Sequence, residues 1–193
     1  MEEVFKVIFE NSEKYDILYD ILKVFVIPYK GGMKMTGKEL LDVAVKIEGA
    51  GYSYYMNLAG KASGKLKELF ESLALEEREH AKRFEEISKK YQNDPNFATW
   101  QNEEATGYAE TYAKAFIFPE IEKEEIPETM LGAIRRAIEV EKDSIIYYNE
   151  IKLLVPDPKP VEEIIKEEKE HLRKLTEKLN EEDVSMFSEG SMI

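Results

Sequence analysis

The chain holds two histidines, His80 and His171, and both fall in a repeated pentapeptide. Glu76-Glu77-Arg78-Glu79-His80 returns 91 residues later as Glu167-Glu168-Lys169-Glu170-His171. Ile47-Glu48 followed by Tyr54-Tyr55 returns 93 residues later as Val140-Glu141 followed by Tyr147-Tyr148. Two motifs recurring at nearly one offset point to a duplicated helical hairpin. On a helix, residues three apart share a face, so Glu77 with His80 and Glu168 with His171 can each reach one metal centre.

The direction of these groups follows from helical spacing. Phe70, Leu73, Glu77, His80, Phe84 and Ile87 step by three and four, as do Val161, Ile164, Glu168, His171, Leu175 and Leu179. Leu41, Ala44, Glu48, Gly51, Tyr55 and Leu58 obey the same rule, and so do Ile134, Ile138, Glu141, Ile145 and Tyr148. Each helix thus carries one carboxylate in the middle of its apolar face. Ionised carboxylates in a core need compensation, because an unpaired buried charge costs several kcal/mol or takes up a proton. No Lys or Arg lies on these stripes near the acids. Two divalent cations would balance Glu48, Glu77, Glu141 and Glu168 beside two neutral imidazoles, with carboxylates bridging ions roughly 3.5–4 Å apart.

A lone Glu-x-x-His is weak evidence in a chain with 40 acidic residues, where it is ordinarily solvated surface. The conjunction is what carries weight: both histidines lie on apolar stripes and both lie in the repeat. The flanking acids Glu76, Glu79, Glu167 and Glu170 are expected to be surface charges. The tyrosine pairs are expected to be core aromatics, with contact to the acids for one of each pair as the lesser reading.

The elements that must position these groups are helices. A stretch over residues 3–27 is apolar at helical spacing and ends at Pro28. Thr36-Gly37-Lys38-Glu39 has the form of a capping box and opens a helix to about Lys61. A second helix runs from Gly64 to about Lys90, stopped by Asn93-Asp94-Pro95-Asn96. Residues 100–118 are aromatic-rich and read as helix. A further helix spans about Glu128 to Leu154, and Pro156 to Pro160 form a rigid turn before the last one, to about Leu179. No strand pattern is found. The expected architecture is all-α: a four-helix bundle over 36–180 with a long crossover between its second and third helices. A helical extension (1–35) precedes it and a loosely held tail (181–193) follows.

The 193 residues suffice for one substantial core, and the absence of Cys removes disulfides, thiolate zinc and iron–sulfur centres. A formal charge of −13 opposes nucleic-acid binding and a polybasic membrane surface. Lys14, Asp16, Asp20 and Lys23 interrupt the first apolar stretch, so no segment is expected to span a bilayer. The reading is a cytoplasmic protein.

At the six residues Glu48, Glu77, His80, Glu141, Glu168 and His171 the sequence resembles the rubrerythrin-like branch of the ferritin-like superfamily. The resemblance covers about residues 37–62, 64–91 and 128–180. It implies a ferritin-like bundle in which Glu48 and Glu141 are terminal ligands, Glu77 and Glu168 bridge two metals, and His80 and His171 each bind one. It implies two iron ions, with manganese or a mixed pair as alternatives, and an oxidoreductase that reduces hydrogen peroxide or dioxygen. It departs from the family at Ser144, where rubrerythrin carries an extra Glu. It also lacks the four Cys of a rubredoxin-like domain, so electrons are expected from a separate donor, a rubredoxin-like protein or a reductase. A homo-oligomer, a dimer first, is the expected assembly. Bacterioferritin shares this ligand order, so ferroxidase and iron storage is an alternative, as is a structural protein with a vestigial metal pair.

Overall fold

The computed structural model describes residues 35–94, 97, 103–117 and 127–189. They form α1 (Gly37–Lys61), α2 (Gly64–Tyr91), α3 (Glu103–Tyr112), α4 (Met130–Ile151) and α5 (Lys159–Glu189). The helix expected over residues 3–27 lies outside the described residues. Among the described residues there is no strand, and no helix is long and apolar enough to cross a membrane.

The local chemistry of each terminus explains the boundaries. Thr36 caps α1: its Oγ1 accepts from the Glu39 backbone N–H at 3.2 Å, and the Glu39 carboxylate accepts from the Thr36 N–H at 2.6 Å. Ala62 and Ser63 alone separate α1 from α2, which forces the two helices antiparallel. Gly64 follows with φ +56°, a left-handed conformation that a side chain would oppose. Thr129 caps α4 by accepting from the Gly132 N–H at 3.1 Å. Pro156 and Pro158 keep the chain out of helix until Lys159, and Pro160 then occupies the first turn of α5.

α1 packs on α2, and α4 on α5, as two hairpins, with α1 against α4 and α2 against α5 closing the four-helix bundle. α3 belongs to the crossover and lies against α4, where the Tyr112 hydroxyl donates to Asp143 at 2.8 Å. It passes into a π-helical turn over Ala113–Ile117. The start of α1 is held from the same crossover. Met35 N–H donates to Glu110 at 3.1 Å, and Phe97 is buried so close to Gly37 that a Cβ there would meet it at 2.9 Å.

One boundary differs from the sequence expectation. The apolar period ends near Leu179, yet α5 runs on to Glu189. No Gly or Pro lies between Pro160 and Gly190, so nothing breaks the backbone; loss of the period removes a packing signal and leaves helix propensity intact.

The apolar core forms two clusters. One gathers Leu40, Ala44, Ile47, Phe84, Tyr148 and Ile164, and the other Tyr55, Leu58, Phe70, Leu73, Ile138 and Leu175. In every bundle helix the members of these clusters flank the same short stretch: Glu48 in α1, Glu77 to His80 in α2, Glu141 in α4, Glu168 to His171 in α5. Four helices therefore bring their polar residues to one level between greasy ends. The capping box is the clearest single contribution at a helix end. Thr36→Ala should cost about 1 kcal/mol, read as a lower urea midpoint with unchanged slope.

Candidate metal centre

Glu48, Glu77, His80, Glu141, Glu168 and His171 are each at most 4% exposed, and among the described residues no other acidic or imidazole side chain is buried. The structure brings all six together. They form two interlocking groups able to hold a metal ion: Glu48, Glu77, His80 and Glu168 in one, Glu77, Glu141, Glu168 and His171 in the other. Within each group the candidate ligand atoms lie within 4.8 Å of one another. Glu77 and Glu168 belong to both. The two imidazoles face each other with ring centroids 5.5 Å apart.

His80 Nδ1 stands 2.8 Å from Glu168 Oε1 and 3.6 Å from Glu48 Oε2. His171 Nδ1 stands 3.2 Å from Glu168 Oε2, 3.3 Å from Glu77 Oε1 and 3.7 Å from Glu141 Oε1. Despite this crowding, Glu48 Oε2, His80 Nδ1 and Glu168 Oε1 are buried without a hydrogen-bond partner. Each such atom costs about 1–3 kcal/mol where nothing satisfies it. All three belong to one donor group and converge on one another. Oxygen and nitrogen lone pairs aimed at a common point fit a divalent cation, and the four carboxylates with two imidazoles match the charge of two.

The opposite edge of each imidazole fixes its proton. His80 Nε2 donates to Glu167 at 2.7 Å, and His171 Nε2 donates to Glu76 at 3.0 Å. Arg83 in turn holds Glu167 at 2.6 Å, and Lys174 holds Glu76 at 3.3 Å. With Nε2–H held by the outer carboxylate, Nδ1 is the nitrogen turned to the interior, the arrangement in which an outer carboxylate orients a ligating histidine. Glu76 and Glu167 therefore correct the sequence expectation that they are plain surface charges; each is partly exposed and reaches across to the other hairpin. Their repeat relation was visible, and so was that of Arg83 with Lys174, 91 residues apart. Glu79 and Glu170 do sit on the surface, paired with Lys82 and Arg173.

The tyrosines show the same exchange between hairpins. Tyr148 on α4 donates to Glu48 on α1 at 2.6 Å, and Tyr55 on α1 donates to Glu141 on α4. Their neighbours tie the helices together: Tyr147 donates to the Leu40 carbonyl at 2.8 Å and Tyr54 to the Ala133 carbonyl at 2.9 Å. Ser144 is buried, but its hydroxyl turns back to the Val140 carbonyl at 3.0 Å and supplies no ligand.

Without a cation the cluster compensates by taking up protons. Burial, reinforced by neighbouring carboxylates, pushes Glu48, Glu77 and Glu141 well above the usual carboxylate range. Burial acts the same way on Glu168, but the imidazoles of His171 and His80 beside it outweigh it and hold Glu168 low. Burial opposes charge on both imidazoles and is likewise outweighed, chiefly by Glu168, so both are raised. Glu76 is lowered to about 2, first by its bond from His171.

Two outcomes follow. Groups raised above their ordinary values keep their protons to higher pH, and metal needs their lone pairs, so loading must release protons and affinity must rise with pH. Calorimetry of Mn(II) binding in buffers of different ionisation heat should show net proton release; none would contradict the arrangement. Glu76→Ala and Glu167→Ala, made singly, should each weaken metal binding by about 10–100-fold while leaving the bundle folded.

The Rubrerythrin family model matches residues 39–179, a span that takes in all six residues. A crystal structure from Thermotoga maritima, of a protein assigned as a ferritin-like diiron-carboxylate protein, is 32% identical and superposes with a TM-score of 0.63. The match covers 79% of this chain and 99% of that one. Comparison with curated proteins gives no match. The ferritin-like bundle, the crosswise carboxylate and imidazole donors and the family match agree, and the chain belongs to the rubrerythrin family.

Proposed function

We propose that the protein is a di-iron oxidoreductase that reduces hydrogen peroxide or dioxygen with electrons from a separate donor. The observation that carries this reading is the pair of interlocking donor groups sharing Glu77 and Glu168, with three orphaned donor atoms converging in one of them. In this reading Glu77 and Glu168 would be shared by the two metals, Glu48 and Glu141 would each complete one end, and His80 and His171 would each supply one nitrogen. A ferrous pair, when bound, supplies the two electrons that break the oxygen–oxygen bond of peroxide.

The remaining work belongs to the chain. Glu167 and Glu76 hold each imidazole by its Nε2–H, so neither ring can turn Nδ1 away from the interior. Tyr148 pins Glu48 by Oε1 and leaves Oε2 facing His80, while Tyr55 pins Glu141 by Oε1, the oxygen 3.7 Å from His171 Nδ1. The two apolar clusters exclude bulk water from either end, which strengthens every electrostatic contact between them. No carboxylate stands at Ser144, so no additional protein ligand competes at that position. The sequence contains no Cys to build a rubredoxin-type centre, which is why the donor is taken to be a separate protein, rubredoxin-like or a reductase.

Anaerobic protein loaded with Fe(II) should be oxidised rapidly, within a single mixing with one equivalent of peroxide, and a stopped-flow absorbance trace would record it. Glu168→Ala, which removes a residue common to both donor groups, should abolish the phase. Inertness of a fully iron-loaded wild type would overturn the proposal.

A further inference from the structure

The repeat places Gly51 on α1 and Ser144 on α4 at corresponding positions, each three residues beyond its helix's buried Glu. Their surroundings differ. A Cβ added at Gly51 would stand 3.2 Å from both the carboxyl carbon and Oε2 of Glu77, and 3.3 Å from its Cγ. Glu77 therefore leans directly on the backbone of α1. Gly49, two residues earlier, is exposed and would meet nothing within 4 Å. Glycine is a poor helix former, so its presence at the buried level of a helix needs a reason, and at position 51 the reason is the carboxylate beside it.

We propose that Gly51 is a positioning residue for the metal pair: the missing side chain sets where the shared carboxylate of Glu77 stands, and so the spacing of both ions. Magnitudes favour this. Contacts of 3.2 Å are tighter than nine in ten that real Cβ atoms make and oblige the neighbour to give by a few tenths of an ångström. Metal–ligand distances tolerate deviations of only about 0.2 Å. Glu77 belongs to both donor groups, so one displaced carboxylate disturbs both positions. The inference rests on the metal-pair reading, though not on the reaction assigned to it.

Gly51→Ala and, as control, Gly49→Ala would be compared with wild type in the full chain, using Mn(II) as the probe. Titration gives affinity and stoichiometry, the electron paramagnetic resonance spectrum of the exchange-coupled pair reports the bridge, and thermal unfolding without metal reports the fold. Expected for Gly51→Ala is a metal-free melting temperature no lower than wild type, with affinity reduced about tenfold or more and an altered coupled spectrum. Gly49→Ala should match wild type in both metal measurements. Wild-type affinity and spectrum in Gly51→Ala would overturn the proposal, as would loss of its metal-free fold, which would make the glycine structural. Wild type binding fewer than two Mn(II) per chain would overturn the metal-pair reading itself.

Discussion

The structure depends on one electrostatic constraint: Glu48, Glu77, Glu141 and Glu168 meet in a layer closed to water by apolar side chains at both ends. Such a layer cannot stay ionised by itself. Two remedies are open to the chain, protons or cations. The metal-free arrangement uses protons, with one low carboxyl, Glu168, held between two raised imidazoles and three raised carboxyls around them. Glu48 Oε2, His80 Nδ1 and Glu168 Oε1 remain without a hydrogen-bond partner there. Cations satisfy charge and lone pairs together, which makes metal binding a contribution to folding as well as to chemistry.

Duplication supplied the donors, and exchange between the copies holds them. Four supporting bonds around the cluster cross from one hairpin to the other: Tyr55 to Glu141, Tyr148 to Glu48, His80 to Glu167, His171 to Glu76. Even the backbone ties, Tyr54 to Ala133 and Tyr147 to Leu40, are reciprocal at the repeat offset. A single hairpin therefore has ligands without the groups that orient them. The two hairpins must dock before either half of the site takes shape, and this couples the site to tertiary packing rather than to any one helix.

This division explains what the sequence could disclose. The six inward residues, the helix types, the capping box and the two-hairpin arrangement follow from period, offset and burial energetics, all of which are local or pairwise along a helix. The outer supports were invisible to that logic because Glu76 and Glu167 lie off the apolar stripes and reach partners 95 and 87 residues away. An abundance of exposed Glu hid them. The repeat could have exposed them, since Arg83 and Lys174 recur with the same offset as the acids they hold. The end of α5 differs from the sequence expectation for another reason: an apolar period marks where a helix packs, and the backbone continues until something breaks it.

Matching donors do not make the two halves equivalent. Each half offers carboxylates and one imidazole of the same kinds, so any difference between them must come from what surrounds the donors. Glu167 is held by a guanidinium that also reaches the Pro160 carbonyl at 3.3 Å, whereas Glu76 is held by an ammonium and by the Ser72 hydroxyl at 2.9 Å. The planar fork of Arg83 fixes its carboxylate in orientation, while Lys174 acts as a point charge that leaves orientation to Ser72. Glycine faces Glu77 from α1, where the repeat places a serine on α4. The orphaned atoms all fall in the group of Glu48 and His80. Symmetric ligands on an asymmetric frame can hold the two positions at different affinity without any change in the ligands themselves.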